Sequence, residues 1–247
     1  MANAQIVAEP VQPLLVAAGS WRAVMSEMTQ AYHAQGGAKF TVQYGPSGNL
    51  RKEIAMGKKI DAFASADAKH TDALAQSKVL GPSVVFAYND LCVIARQGVG
   101  LDADNLVRKL TLPTVRVATS TPKSDPMGDY TWQFFRKAEQ KEQLAFQALD
   151  KKALKLSGAT APKPGEKLPY VTAFENNQAD AYVMYCTNAA TTKKSLPKLQ
   201  IVRIPDDLNV RSAYGIAAHP ASKEGEQFKR FVLSSEGQQI LRKHGFN

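Results

Sequence analysis

No stretch of the 247-residue chain approaches the roughly 18 consecutive apolar residues of a membrane-spanning helix, so no span is read from it. Cysteine is scarce: Cys92 and Cys186 stand far apart and match no metal-ligand spacing. The four histidines, His33, His70, His219 and His244, are isolated, and no His-Glu-x-x-His pair occurs. A zinc or redox centre is therefore unsupported, and neither a metal nor a cofactor is expected. No Gly-x-Ser-x-Gly elbow is present, which argues against a serine hydrolase. The net charge is +9, yet basic residues cluster only as pairs such as Lys151-Lys152 and Lys193-Lys194. A nucleic-acid binder would carry a basic stripe with interleaved aromatics, so the charge is read as a field that concentrates anions.

What is present is ordinary globular composition, 44% apolar and 21% charged, in a chain long enough for one large domain or two smaller ones. Short apolar strand candidates alternate with helical patterns. "PLLVAAG" predicts a strand, and the stretch after Ser20 a helix with Val24, Met25, Met28 and Tyr32 on one side. "KFTVQYG" predicts a strand, followed by a helix from about Asn49 to Met56; "IDAFASAD" and "KHTDALAQSKVL" repeat the pair. "VVFAYNDLCVIAR" is a β-rich run interrupted by Asn89 and Asp90. "TVRVATST", "ADAYVMYC", "KLQIVRIP" and "AYGIAAHP" complete the strands. "GDYTWQFFRKAEQ" is helical, and the tail holds two helical pieces joined near Ser234-Ser235. This alternation predicts an α/β fold. "KLSGATAPKPGEKLPY", with three prolines and two glycines, predicts a surface loop or insertion.

Three strand-to-helix junctions suit an anion. "AAGS" places Gly19 and Ser20, and "GPSGN" places Ser47, Gly48 and Asn49, where a helix begins. A helix start offers unpaired N–H groups and a positive dipole end, and a serine hydroxyl adds a donor. The plainer alternative makes both serines helix caps. "TSTPKSDPMGDYTWQFF" is the third junction, with the N–H groups of Met127, Gly128 and Asp129 available and Tyr130 in the first helical turn. Its plainer alternative is a turn capped by Asp125 or Asp129. A fourth place is "DAYVMYCTNAA", where Tyr185, Cys186, Thr187 and Asn188 form a polar cluster. Tyr185 has a phenolic proton to donate. Cys186 is a core residue, a soft ligand or half of a disulfide with Cys92. Asp61 and Asp67 could pose as a catalytic carboxylate pair, but Asp67 is better placed as the cap of the helix that begins at Ala68. At the N-terminus, Ala2-Asn3-Ala4 is a small-x-small pattern of the kind that precedes signal-peptidase cleavage, and an ordinary tail would look the same.

With these junctions in order, residues 13–247 resemble the periplasmic molybdate-binding proteins of ABC importers, a branch of the type II solute-binding proteins. The pieces that carry the resemblance are "VAAGSWRAVMSEM", "YGPSGNLRKEIAMGKKIDAFASAD", "DPMGDYTWQFF", "NNQADAYVMYCTNA" and "FVLSSEGQQILRKHGF". The resemblance implies a two-lobed α/β fold, each lobe a mixed, mostly parallel sheet flanked by helices. Residues 1–12 would form a tail, 13–90 and 206–247 the first lobe, and 91–205 the second. Hinges would lie near Ala87–Leu91 and Ile204–Arg211. It further implies a binding protein rather than an enzyme: an exported, periplasmic monomer that clamps molybdate or tungstate and hands it to an ABC permease. Ser20, Ser47, Met127 and Tyr185 match the family's ligand contacts, with Gly48 and Gly128 as backbone donors. Gly19, Asn49, Tyr130, Cys186 and Asn188 stand nearby. The chain departs from the family in Gly-Pro-Ser-Gly at the second turn, in bulky Met127, and in the Cys-Thr-Asn that follows Tyr185. Three alternatives remain open: the same fold with another anion, organic acid or metal complex; an enzyme using Tyr185 and Cys186; and a ligand-sensing regulatory domain.

Overall fold

The computed structural model describes residues 12–163 and 165–246. The Ala2-Asn3-Ala4 pattern lies outside them, as does nearly all of the expected tail.

The chain begins with β1 (Leu14–Ala18), a 3₁₀ turn at Gly19–Trp21 and α1 (Arg22–Ala34). Val24, Met25, Met28 and Tyr32 are buried along one face of α1, as their spacing predicts. Next come β2 (Thr41–Gly45), α2 (Ser47–Ala55), β3 (Ala62–Ser65) and α3 (Ala68–Gln76). The Asp67 carboxylate caps α3 by accepting from the Lys69 N–H at 2.9 Å. Asp61 accepts from the Leu14 N–H and the Ser222 hydroxyl. Both carboxylates are thus engaged in structure rather than paired for catalysis.

The β-rich run divides at Asp90 into β4 (Val84–Asn89) and β5 (Leu91–Arg96), which belong to different sheets. The second half continues through α4 (Leu106–Thr111), β6 (Val117–Ser120), α5 (Pro126–Ala138), α6 (Ala145–Lys152) and β7 (Leu154–Ser157). It ends with α7 (Pro169–Glu175), β8 (Ala181–Tyr185), α8 (Cys186–Ser195) and β9 (Leu199–Arg203). The chain then crosses back to β10 (Ser212–Ala218), α9 (Lys223–Leu233) and α10 (Ser235–Lys243). Two expectations need correction. The Pro-rich segment is not all loop, since Lys155–Ser157 finish strand β7 and Pro169 opens α7. The helices expected from Asn49 and near Gly128 start two residues earlier, at Ser47 and Pro126, because proline suits a first helical turn and the residue just before it.

Two five-stranded mixed sheets result, ordered β2-β1-β3-β10-β4 and β7-β6-β8-β5-β9, each flanked by helices. Each sheet is parallel across its first three strands and antiparallel where the crossing strands join. Four of the five strands in each sheet run the same way, β10 and β5 being the reversed ones, so each lobe carries the mixed, mostly parallel sheet expected. The first sheet uses residues 14–89 and 212–218, and the second uses 91–203. At the crossing, the Asn209 side chain imitates a strand neighbour. It donates to Leu91 O and accepts from the Leu91 N–H, both at 3.0 Å.

This topology decides where a site can form. β1 and β2 are parallel neighbours, with Ala18 opposite Gly45, so the turns after both strands open on the same edge. β6 is parallel to both β7 and β8, so the turns after Ser120, Ser157 and Tyr185 also share an edge. Ligands of open α/β sheets bind beyond such carboxyl ends.

Candidate functional site

The turns from both sheets enclose one cavity of about 70 Å³, far below the roughly 300–1,000 Å³ that drug-sized ligands and cofactors need. A small ligand is what fits it. Gly19, Ser20 and Arg22 line it from the first junction, and Tyr44, Gly45 and Pro46 from the second. Asp125, Met127, Ser157, Gly158, Tyr170, Tyr185 and Asn188 line it from the opposite sheet, beside the Pro-rich segment.

A chain of hydrogen bonds orients the Ser20 hydroxyl. Asn89, at the end of β4, donates to the Tyr214 hydroxyl at 3.4 Å and to Thr187 Oγ1 at 2.8 Å. Tyr214 in turn donates to Ser20 Oγ at 3.1 Å. Because Ser20 accepts, its own proton remains to be given to the cavity. Neither junction serine is a cap: no side-chain capping bond forms at either helix start.

Tyr185, only 1% exposed, lines the cavity, and its hydroxyl makes no hydrogen bond of normal geometry among the described residues, although the Ser212 and Tyr214 hydroxyls stand near it. A buried polar group without a partner costs about 1–3 kcal/mol, so this hydroxyl is the plainest sign of a missing acceptor. Burial raises the Tyr185 and Tyr214 phenols well above their ordinary range, which keeps both protonated as donors. Met127 brings an N–H from the first turn of α5, where helical partners are lacking.

The other expected residues divide. Ser47 is fully buried just behind the lining residue Pro46, and its Oγ accepts from the Ala66 N–H at 3.1 Å. The Gly48 N–H donates to Ser124 O at 3.0 Å, across the gap between the lobes. The Gly128 N–H donates to Asp125 O at 3.0 Å. For both glycines the structure shows a packing requirement. A methyl group at Gly48 would stand 2.7 Å from Lys123 O, and one at Gly128 would stand 2.6 Å from Pro122 N. Asn49 donates to Ala159 O at 3.0 Å, pinning the Pro-rich segment to the first lobe. Gly19 and Asn188 line the cavity, and Asn188 donates to the Tyr170 hydroxyl at 3.4 Å. Tyr130 is buried outside the lining. Cys186 is bonded to Cys92, so it presents no thiol to a ligand or to catalysis.

Among the lining residues that sequence reasoning did not assign to the site are Arg22, Tyr44, Asp125 and Tyr170. The Arg22 guanidinium lies 4.4 Å from the centroid of the Tyr44 ring. Asp125 accepts from the Ser120 hydroxyl, and its carboxyl makes no capping bond to α5. Enclosure pushes it up to about 6, with the Ser120 hydroxyl opposing that rise. Among the described lining residues Arg22 is the only cation and Asp125 the only acid. The cavity wall therefore holds one positive and one negative side chain beside its neutral donors.

Comparison with known proteins bears on the class. The family described as bacterial extracellular solute-binding protein matches residues 14–247. A Pasteurella multocida protein, "Uncharacterized protein PM1146", is 32% identical over 237 residues, covering 94% of this chain and 97% of that one. The molybdate-binding protein ModA of Mycobacterium tuberculosis is 25% identical over 241 residues, covering 94% and 83%. The periplasmic molybdate-binding protein of Azotobacter vinelandii superposes with a TM-score of 0.75 at 16% identity, covering 96% and 99%.

Proposed function

The chain belongs to the bacterial extracellular solute-binding proteins, and on that premise we propose that it captures a small oxyanion, molybdate or tungstate, between its lobes for delivery to an ABC permease. The observation that carries this reading is the unpartnered, buried Tyr185 hydroxyl facing a small cavity beside the Ser20 hydroxyl and the Met127 N–H. Each such bond to an anion is worth about 1.5–3 kcal/mol, offset by desolvation of the anion. Ser47 would act from behind Pro46, with its own proton still available because its oxygen accepts from Ala66. Since sulfate and molybdate carry the same charge, cavity size would separate them. The protein would act as a periplasmic monomer, and as a carrier rather than an enzyme. Opening and closing would turn on the crossings at residues 87–91 and 204–211.

A second reading keeps the fold and the transport role and replaces the ligand with a small organic anion. Arg22 favours it, together with the apolar wall of Tyr44, Pro46, Leu168 and Pro169, which a bare inorganic dianion does not need. A thermal-shift panel of molybdate, tungstate, sulfate, phosphate, chromate and small carboxylates separates the two. Ligand at about 100 times Kd adds roughly 2.7 kcal/mol, which is about 5–10 °C in a chain of this size. A molybdate shift lost in Ser20→Ala supports the main reading. Shifts with carboxylates alone support the second, and no shift with any tetrahedral oxyanion removes the first.

A further inference from the structure

Asp125 is out of place in a cavity built for an anion. Asp125 lines the wall two residues before Met127, and its carboxyl makes no capping hydrogen bond at the start of α5. Its hydrogen-bond partner is the Ser120 hydroxyl. Among the described residues no ion pair neutralises it, since Arg22 is turned to the Tyr44 ring. A methyl group at Gly158 would fall 2.8 Å from Asp125 Oδ2, so the turn after β7 packs directly against the half-buried carboxyl. The titratable groups within electrostatic reach are Asp129 on α5, Tyr170 on α7, Tyr182 and Tyr185 on β8, and Tyr214 on β10. The phenols all stay protonated, because burial raises each of them.

We propose that capture of a fully deprotonated dianion in this cleft is coupled to the uptake of one proton by Asp125. Two like charges brought together in one small cavity repel, and protonation converts the carboxyl from an acceptor into a donor. The bound oxyanion would then accept from the Asp125 O–H as well as from Ser20, Met127 and Tyr185. This rests on the reading that the cleft holds an oxyanion. It adds Asp125 as a residue that decides which ligands bind at a given pH. An anion that brings its own acidic hydrogen, such as monohydrogen phosphate, could instead give that hydrogen to the ionised carboxylate and bind without uptake.

The sign follows from linkage. The free carboxyl, pushed up to about 6, is already protonated below that pH, so affinity for a dianion is flat there. Above it each pH unit weakens binding about tenfold, as one proton must be taken up. Titration calorimetry with molybdate and with sulfate from pH 5 to 8.5, in buffers of different ionisation enthalpy, measures both the slope and the proton count. Wild-type protein is expected to take up one proton at pH 8. Asp125→Asn should bind with no pH slope and, at pH 8, about 30–100-fold more tightly than wild type. Ser120→Ala removes a donor that favours the ionised form, so it should move the break in the profile to higher pH; it carries the test if Asp125→Asn does not fold. Dianion binding that is independent of pH in wild type, or an unchanged profile in Ser120→Ala, overturns the proposal and leaves the oxyanion site standing. Absence of dianion binding at every pH, including 5, overturns the oxyanion reading and this proposal with it.

Discussion

The Tyr214 hydroxyl donates to Ser20 Oγ at 3.1 Å, joining a strand of the returning chain to the first junction of the cleft. The bond fixes which way Ser20 can donate. Ser20→Ala removes a bond to the anion and is expected to weaken binding by about 10–100-fold. Tyr214→Phe leaves the hydroxyl in place but frees its rotor, so a loss of about 3–10-fold is expected. Titration calorimetry on both variants checks the order: a greater loss in Tyr214→Phe than in Ser20→Ala would contradict the orienting role.

Tyr185 offers a sharper separation of stability from binding. Its hydroxyl is buried and makes no hydrogen bond among the described residues, so Tyr185→Phe should leave the ligand-free protein as stable as wild type or more so, by up to about 1–2 kcal/mol. The same variant should lose at least tenfold in affinity, because the anion is the acceptor the phenol lacks. Chemical denaturation and ligand titration on one preparation test both halves. A less stable ligand-free variant would mean that the hydroxyl has a protein partner.

Gly48 stands where the turn after β2 meets the turn after β6, with its N–H donating to Ser124 O. A Cβ there would approach Lys123 O to 2.7 Å and Ser124 O to 2.8 Å, both backbone atoms of the opposite lobe. Gly48→Ala is therefore expected to hold the lobes apart, reducing affinity by more than tenfold while the first lobe remains folded. Small-angle scattering with and without molybdate reports it: compaction should occur in wild type and fail in the variant. Equal compaction in both would show that the contact does not govern closure.

How much of this was legible beforehand follows from the kind of signal each residue gives. The alternation of strands and helices fixed the architecture, since the apolar faces of α1, α9 and α10 repeat at helical spacing over several turns. The short helices α4, α6, α7 and α8 carry too few turns for a period to emerge. Ser20, Met127 and Tyr185 were found because a strand end followed by a small or polar residue is a local pattern. Arg22 and Tyr44 were missed because a lone arginine early in a helix and a tyrosine ending a strand look like surface residues. Only the parallel pairing of β1 with β2 brings them together. Asp125 was seen only as a cap, because a carboxylate before a proline has that ordinary use. Its place in the cavity wall depends on the turns after β7 and β8. The Cys92–Cys186 bond was one of several options for the cysteines, and pairing of β5 with β8 is what places the two residues side by side.

The central claim is that an oxyanion occupies the cavity between the two sheets, and anomalous diffraction from crystals grown with molybdate or tungstate tests it most directly. The account predicts one strong metal peak per chain, its oxygens within hydrogen-bonding distance of Ser20 Oγ, the Met127 N–H and the Tyr185 hydroxyl. A peak elsewhere, or an interlobe cavity free of metal at saturating concentration, would contradict it.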